Sequence, residues 1–212
     1  MKRTIFFRLA ACFLIFLSPD LFCLDIKTDF TESKDYRTVG IFSTAAEYNT
    51  VSRVLTDFES YNRWVLRGLD GKDPGTEDFI GLMKETVYHR EREVLELIYD
   101  VRLPWPLGSL GNSALFDITI LDRSSNSLTF NLDMTNTSAA LKSASLDVTV
   151  FPENQGCRIE TTALIHFSFF LNLLFNLPAY KKTIEWRIVR VMLNMEAFIE
   201  TCVQSESLIP GG

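Results

Sequence analysis

Beyond residue 23, the side chains best suited to act as nucleophile, base or metal ligand are His89, His166, Cys157 and Cys202. They are scattered: no CxxC and no Cys/His cluster has the spacing of a zinc site. No metal site and no cofactor is therefore expected. His166 falls on the polar side of an alternating segment, and no Ser or Cys nucleophile motif accompanies either histidine. A GxSxG elbow and a phosphate-binding glycine loop are both missing from the sequence. No residue is assigned a catalytic role. Arg102 and Glu85 supply a guanidinium and a carboxylate of the kind a cyclase uses, but sequence alone does not bring them together. Tyr99 joins an apolar ring to one hydroxyl. It either orients a ligand by a single hydrogen bond or anchors the core.

The elements that must position these groups are mostly strands. Arg37 to Phe42 reads as a strand and runs into Thr44-Ala45-Ala46-Glu47, the pattern of a capping box opening a helix over 45–57. Tyr48, Val51, Val54, Leu55 and Phe58 share one face of that helix. A second short helix near 58–66 carries Tyr61, Trp64 and Val65, and Gly68, Gly71, Pro74 and Gly75 then break the chain. Period-two alternation follows in 79–89, 94–103, 114–121, 128–134, 146–150 and 159–167, which gives each segment one buried and one wet face. The separators, such as Asp122-Arg123-Ser124-Ser125-Asn126 and Pro152-Glu153-Asn154-Gln155-Gly156, are short turn-formers, so the strands form an antiparallel meander. The chain ends in a helix over 178–205 with Ile184, Ile188, Val191, Met195, Phe198 and Cys202 in one apolar stripe.

Composition places limits on the partners. The chain has 212 residues, 17 of them Phe, and a net charge of −6, which argues against nucleic acid as a partner. Lys2, Arg3 and Arg8 precede the apolar run Leu9 to Leu17, and Ser18-Pro19-Asp20 ends it. This is the form of an export signal, expected over residues 1–23, and too short to span a bilayer comfortably. The protein is expected to be periplasmic or secreted; retention of the segment as an N-terminal anchor is the alternative. Residues 24–36 read as a linker, and residues 24–212 carry a net charge of −8. An oxidising compartment raises the question of a Cys157–Cys202 disulfide. Twelve strand residues advance about 40 Å and the returning helix about 33 Å, so the sulfurs could meet or stand as separate buried thiols. Asn136-Thr137-Ser138 is a glycosylation sequon.

A sheet with one apolar face must be covered. One long helix can cross a curved sheet of six to seven strands but cannot fill the whole concavity. The interior either collapses to a dense core or encloses a dry apolar cavity. Here the element order resembles the START-like, helix-grip superfamily, which includes polyketide cyclases, lipid-transfer START domains and pollen-allergen-like proteins. Asp57 with Phe58-Glu59-Ser60-Tyr61-Asn62-Arg63-Trp64 resembles that superfamily's D-F-x-x-Y-x-x-W turn. Val101-Arg102-Leu103-Pro104-Trp105-Pro106-Leu107 is similar to its Pro-aromatic-Pro strand end, and Leu177-Pro178 to its entry into the last helix. Gly108-Ser109-Leu110-Gly111-Asn112 stands where START domains often carry an Arg-Asp pair. The resemblance covers 37–205, with the domain set at 37–206. It implies an α+β fold, a curved antiparallel sheet around a long C-terminal helix, with two short helices after the first strand.

The resemblance also implies a bound lipid, sterol or other hydrophobic small molecule, held between the last helix and the sheet. The inward-facing candidates are Leu97, Tyr99, Phe116, Ile118, Phe130, Leu132, Val148 and Ile165 from strands, and Ile188, Met192 and Met195 from the helix. A dense interior with no pocket of about 300 Å³ would argue strongly against this reading. A cyclase or isomerase on the same fold is the alternative, and needs two titratable groups converging in the cavity. The aromatic run 167–177 is either a buried extension of its neighbours or an apolar patch for transient membrane contact.

Overall fold

A computed structural model describes residues 24–33, 35–69, 80–102, 108–174 and 177–207. The elements run β1 (Leu24–Phe30), β2 (Tyr36–Thr44), α1 (Tyr48–Thr56), a 3-10 turn (Phe58–Ser60) and α2 (Tyr61–Trp64). Then come β3 (Ile80–His89), β4 (Val94–Arg102), β5 (Ser109–Arg123), β6 (Leu128–Met134), β7 (Leu141–Glu153) and β8 (Gly156–Phe167). α3 (Phe169–Leu174) and α4 (Leu177–Ser207) close the chain. The strands form one antiparallel sheet in the order β1-β2-β8-β7-β6-β5-β4-β3. Neighbours in sequence pair as hairpins from β3 to β8, and β2 closes on β8. The fold is α+β, as the sequence indicates.

Among the described residues the strand count is eight, one more than the alternation locates. The eighth strand is β1, inside the segment expected as a linker; it pairs with β2 along its whole length, from Leu24 opposite Phe42 to Phe30 opposite Tyr36. The expected capping box does not form. Thr44 is the last residue of β2, and its hydroxyl accepts from the Ala46 amide at 3.2 Å. Helix α1 begins at Tyr48 with Glu47 as an N-cap that makes no side-chain cap bond. The corner is held tightly by Gly156 in the β7–β8 turn. A Cβ there would lie 1.9 Å from the Thr44 carbonyl oxygen, and the residue has φ +99°. The expected signal segment lies outside the described residues, as does most of the Pro-aromatic-Pro strand end.

Packing divides the interior into two unequal parts. The larger is solid. Val51, Val54 and Leu55 of α1 and Tyr61 and Trp64 of α2 press onto Phe130, Leu128, Val150 and Ile159 of the sheet, and Met192, Met195 and Ile199 of α4 complete the cluster. The Phe58–Trp64 turn belongs to this core: Phe58 and Tyr61 rings lie 5.1 Å apart, and Tyr61 and Trp64 rings 5.2 Å. The Tyr61 hydroxyl donates to the Leu55 carbonyl. The smaller cluster, around Tyr99, Val101, Ala114, Ala140 and Leu171, lies at the other end, where no helix from the α1–α2 pair belongs to the packing.

Cys157 is buried and Cys202 half-buried, and the two are not joined to each other. The disulfide considered from the sequence is therefore not present. Burial, with Glu153 nearby, pushes the Cys157 thiol up to about 12, so it is an inert apolar filler at neutral pH. The sequon asparagine is occupied structurally. Asn136 accepts from the Leu115 amide at 2.7 Å and donates to the Ser113 carbonyl at 3.0 Å.

Candidate functional site

The smaller cluster borders a partly open hollow. Between the first turns of α4 and strands β3, β4, β5, β7 and β8 lies a cavity of about 220 Å³. Its apolar wall includes Met83, Leu97, Phe116, Ile165 and Leu171. The cause is geometric. Helices α1 and α2 thicken only one half of the layer facing the sheet, and the other half is bridged by α4 and α3 alone. Ala140 and Ala144, both cavity-lining, add little side-chain volume where a Leu would fill the gap. The β7–β8 turn at Glu153, Asn154 and Gln155 carries a broader depression, but polar turn residues line it and it encloses nothing apolar.

The 135–140 loop and α3 shape one wall. Ser168 ties them together: its amide donates to the Ala140 carbonyl at 2.9 Å and its hydroxyl to the Ala139 carbonyl at 2.7 Å. The first α3 bond, from Asn172 to the Ser168 carbonyl, then holds fully buried Leu171 against the hollow. The aromatic run 167–177 is thus split. Phe167 packs edge-on against Tyr36 and Tyr180, Leu171 is enclosed, and Phe169 is 81% exposed.

Polar groups are few and specific. Tyr99 lies 3.0 Å from the Ser138 hydroxyl. Ser138 Oγ already accepts from the Ala140 and Leu141 amides, at 3.2 and 2.9 Å. A hydroxyl has two lone pairs and one proton. The Ser138 hydroxyl also reaches the Leu141 carbonyl at 3.5 Å, so Tyr99 joins a closed knot of hydrogen bonds at the 138–141 turn. Burial raises the Tyr99 phenol above its ordinary value, partly offset by the Ser138 bond, so it stays protonated at neutral pH. Tyr180 is pushed up to about 12 by burial, partly opposed by the nearby Thr38 hydroxyl. Arg187 reaches across from α4 and donates to the Gly81 carbonyl of β3 at 2.5 Å. Thr183, one turn earlier, is buried, and its hydroxyl has no hydrogen-bond partner among the described residues.

The eleven residues picked from the sequence separate accordingly. Leu97, Tyr99, Phe116 and Ile165 line the cavity. Phe130, Leu132, Val148, Met192 and Met195 are buried in the solid cluster, and Ile118 and Ile188 pack against it. All eleven face inward; the α1–α2 plug decides which meet empty space. Arg102 and Glu85 are both exposed and outside the cavity lining. His89 pairs with Glu96 at 3.0 Å and His166 with Asp35 at 2.7 Å, each outside the cavity lining. The alternation argument missed Thr183 and Arg187. Their signal is the spacing of Tyr180, Thr183, Ile184 and Arg187, which places all four on one helix face.

No family model matches the sequence, and no curated protein matches it. Solved structures are similar in fold. The Zhui aromatase/cyclase from Streptomyces sp. R1128 is 11% identical with a TM-score of 0.51, covering 80% of this chain and 96% of that one. A conserved protein from Geobacillus kaustophilus is 10% identical with a TM-score of 0.53, covering 78% and 95%. A START superfamily protein from Mycobacterium smegmatis is 14% identical with a TM-score of 0.49, covering 78% and 98%. The fold is START-like, of the helix-grip type, as the sequence motifs suggest. At these identities the likeness extends to architecture and not to chemistry.

Proposed function

We propose that the protein binds a small hydrophobic molecule, of lipid or comparable apolar character, in the cavity between α4 and the sheet, and that it does so as an exported carrier. The observation that carries this reading is the partly open apolar hollow of about 220 Å³ beside an otherwise solid interior. An apolar cavity of roughly 150 Å³ stays dry and accepts benzene. The volume here suits a single substituted ring or a short acyl segment. It falls short of the roughly 300 Å³ that the sequence reading asks for, so a longer lipid would insert only its end, with the remainder emerging past α3 and the start of α4. Exposed Phe169 and Leu177 would meet that remainder, or a membrane surface. Export rests on the charged and apolar pattern of residues 1–23.

Affinity comes from desolvation. A ligand burying about 200 Å², the area of an aromatic side chain, gains about 5 kcal/mol before the cost of immobilisation. Purely apolar ligands therefore bind weakly, and polar contacts in the wall decide selectivity. A cyclase-type reaction is supported less well. No carboxylate, imidazole or thiol is among the described residues lining the cavity, and its phenols are held protonated. The test is calorimetric titration of ligand-stripped protein with apolar probes of graded size. Toluene and naphthalene are expected to bind and pyrene not to. No heat with any probe would remove the proposal.

A further inference from the structure

The end of the molecule beside the cavity combines bare apolar side chains with a charge unlike that of the rest of the chain. Phe169 of α3 is the most exposed large apolar side chain among the described residues, and Leu177 opens α4 at 37% exposure. Three contacts bring their surroundings together. Leu141 stands opposite Phe167 in the sheet, the Ser168 amide donates to the Ala140 carbonyl, and the Phe167 and Tyr180 ring centroids lie 5.8 Å apart. The 135–142 loop, α3 and the first turn of α4 therefore meet at one end.

The chain is acidic, with a net charge of −6, but this end is not. No charged residue stands between His166 and Lys181, and Lys142 is the only one between Asp133 and Asp147. Lys142, Lys181 and Lys182 are all exposed. Two carboxylates lie close, and both are engaged. Glu185 pairs with Lys181 at 3.7 Å, and Asp35 pairs with His166 at 2.7 Å and also feels the charge of Lys142. The positive end of α4, a helix of 31 residues, adds to the same sign.

An apolar tip ringed by lysines limits what can cover it. A second copy of this chain, meeting it about a two-fold axis, would set lysine against lysine. A bilayer with anionic headgroups takes both features at once, the ring in the acyl boundary and the ammonium groups at the phosphates. Among the described residues no helix is long and apolar enough to cross a membrane, so the contact is one of surface docking.

We infer that this end docks on an anionic bilayer, with Phe169 and Leu177 entering the acyl boundary and Lys142, Lys181 and Lys182 on the lipid phosphates. Docking sets α3, whose Leu171 walls the cavity, against the lipid. It does not require an occupied cavity, so it goes beyond the ligand reading and can fail or hold without it.

The experiment is hydrogen exchange, read by mass spectrometry on the full chain. The chain is compared in solution, with phosphatidylcholine vesicles, and with vesicles of phosphatidylcholine mixed with phosphatidylglycerol. Residues 1–23 would hold the chain on either vesicle, so the readout is where protection falls. Amides of 168–182 should be protected on the mixed vesicles only. The lipid concentration giving half protection then measures affinity. A lysine near an anionic surface strengthens binding about fivefold, so Lys142→Gln with Lys182→Gln should raise that concentration about 25-fold. Phe169→Ser should raise it at least about tenfold. Leu193→Ser, at an exposed site about 24 Å along α4 from Leu177, should leave it within about twofold. Absence of protection at 168–182 on the mixed vesicles, or equal protection on phosphatidylcholine alone, would overturn the inference. So would a half-protection concentration that neither Phe169→Ser nor the lysine pair moves. Toluene titration decides the ligand reading separately.

Discussion

Filling the hollow should stabilise the protein, whereas adding volume to the solid half should destabilise it. Ala144 on β7 faces the cavity opposite Ile165 of β8. Ala144→Leu places three more carbons in that space. At about 0.8 kcal/mol per buried methylene the gain is at most about 2.4 kcal/mol, and fixing the leucine rotamer costs about 0.5–1 kcal/mol. The net expectation is about 1.5 kcal/mol of added stability. For a chain of this size about 1 kcal/mol shifts the midpoint by roughly 2–4 °C, so the midpoint should rise by about 3–6 °C. The control is Val150→Phe, at a fully buried position of the solid cluster. Overpacking there should cost about 1–3 kcal/mol or more. Both are measured by thermal and urea unfolding on protein refolded from denaturant, which removes co-purified ligand. A fall in stability for Ala144→Leu like that for Val150→Phe would show that the space is not empty, and the reasoning would fail.

Three further outcomes follow from the packing. Phe130→Ala, which removes a 1% exposed ring whose centroid lies 5.8 Å from that of Phe58, should cost about 3–5 kcal/mol in urea unfolding; a cost below about 1 kcal/mol would contradict a solid core there. Gly156→Ala should cost at least about 2 kcal/mol, because its Cβ would meet the Thr44 carbonyl at a positive φ; a neutral change would refute the tight corner. The Ser33 hydroxyl and then His166 hold Asp35 below the usual carboxylate value despite partial desolvation. A carboxyl lowered in the folded state stabilises above its unfolded pKa and loses that contribution as pH falls through the folded one. Asp35→Asn should therefore be less stable than wild type at pH 7, and the gap should close as pH drops below the ordinary value of 3.8. A gap that stays constant into acid would show that the pair contributes nothing through its charge.

Strand identity was legible because alternation of residue type maps directly onto the two faces of a pleated sheet. β6 spans the very residues, Leu128 to Met134, that the pattern marked. β1 also alternates, Leu24-Asp25-Ile26-Lys27-Thr28, but it lies against the expected signal segment, where so short a pattern reads as a linker. The capping box misled because Thr44 also ends a strand; its hydroxyl stays with the turn and does not reach the helix. The cavity was legible only as a possibility. Parity tells that Leu97 and Phe130 both point inward, but not that α1 and α2 cover one and leave the other facing space. Arg187 was illegible for a different reason. A charged residue in an amphipathic helix reads as solvent-facing, yet here its long stem passes the apolar wall and its head docks on the Gly81 carbonyl.

Native mass spectrometry of the protein, purified without denaturation alongside Ala144→Leu, addresses the central idea most directly. The wild type should carry a stoichiometric small-molecule adduct that extraction identifies as a small apolar compound, and the filled variant should carry none. Bare polypeptide in both preparations, with no apolar probe able to bind the wild type, would contradict a ligand-holding interior.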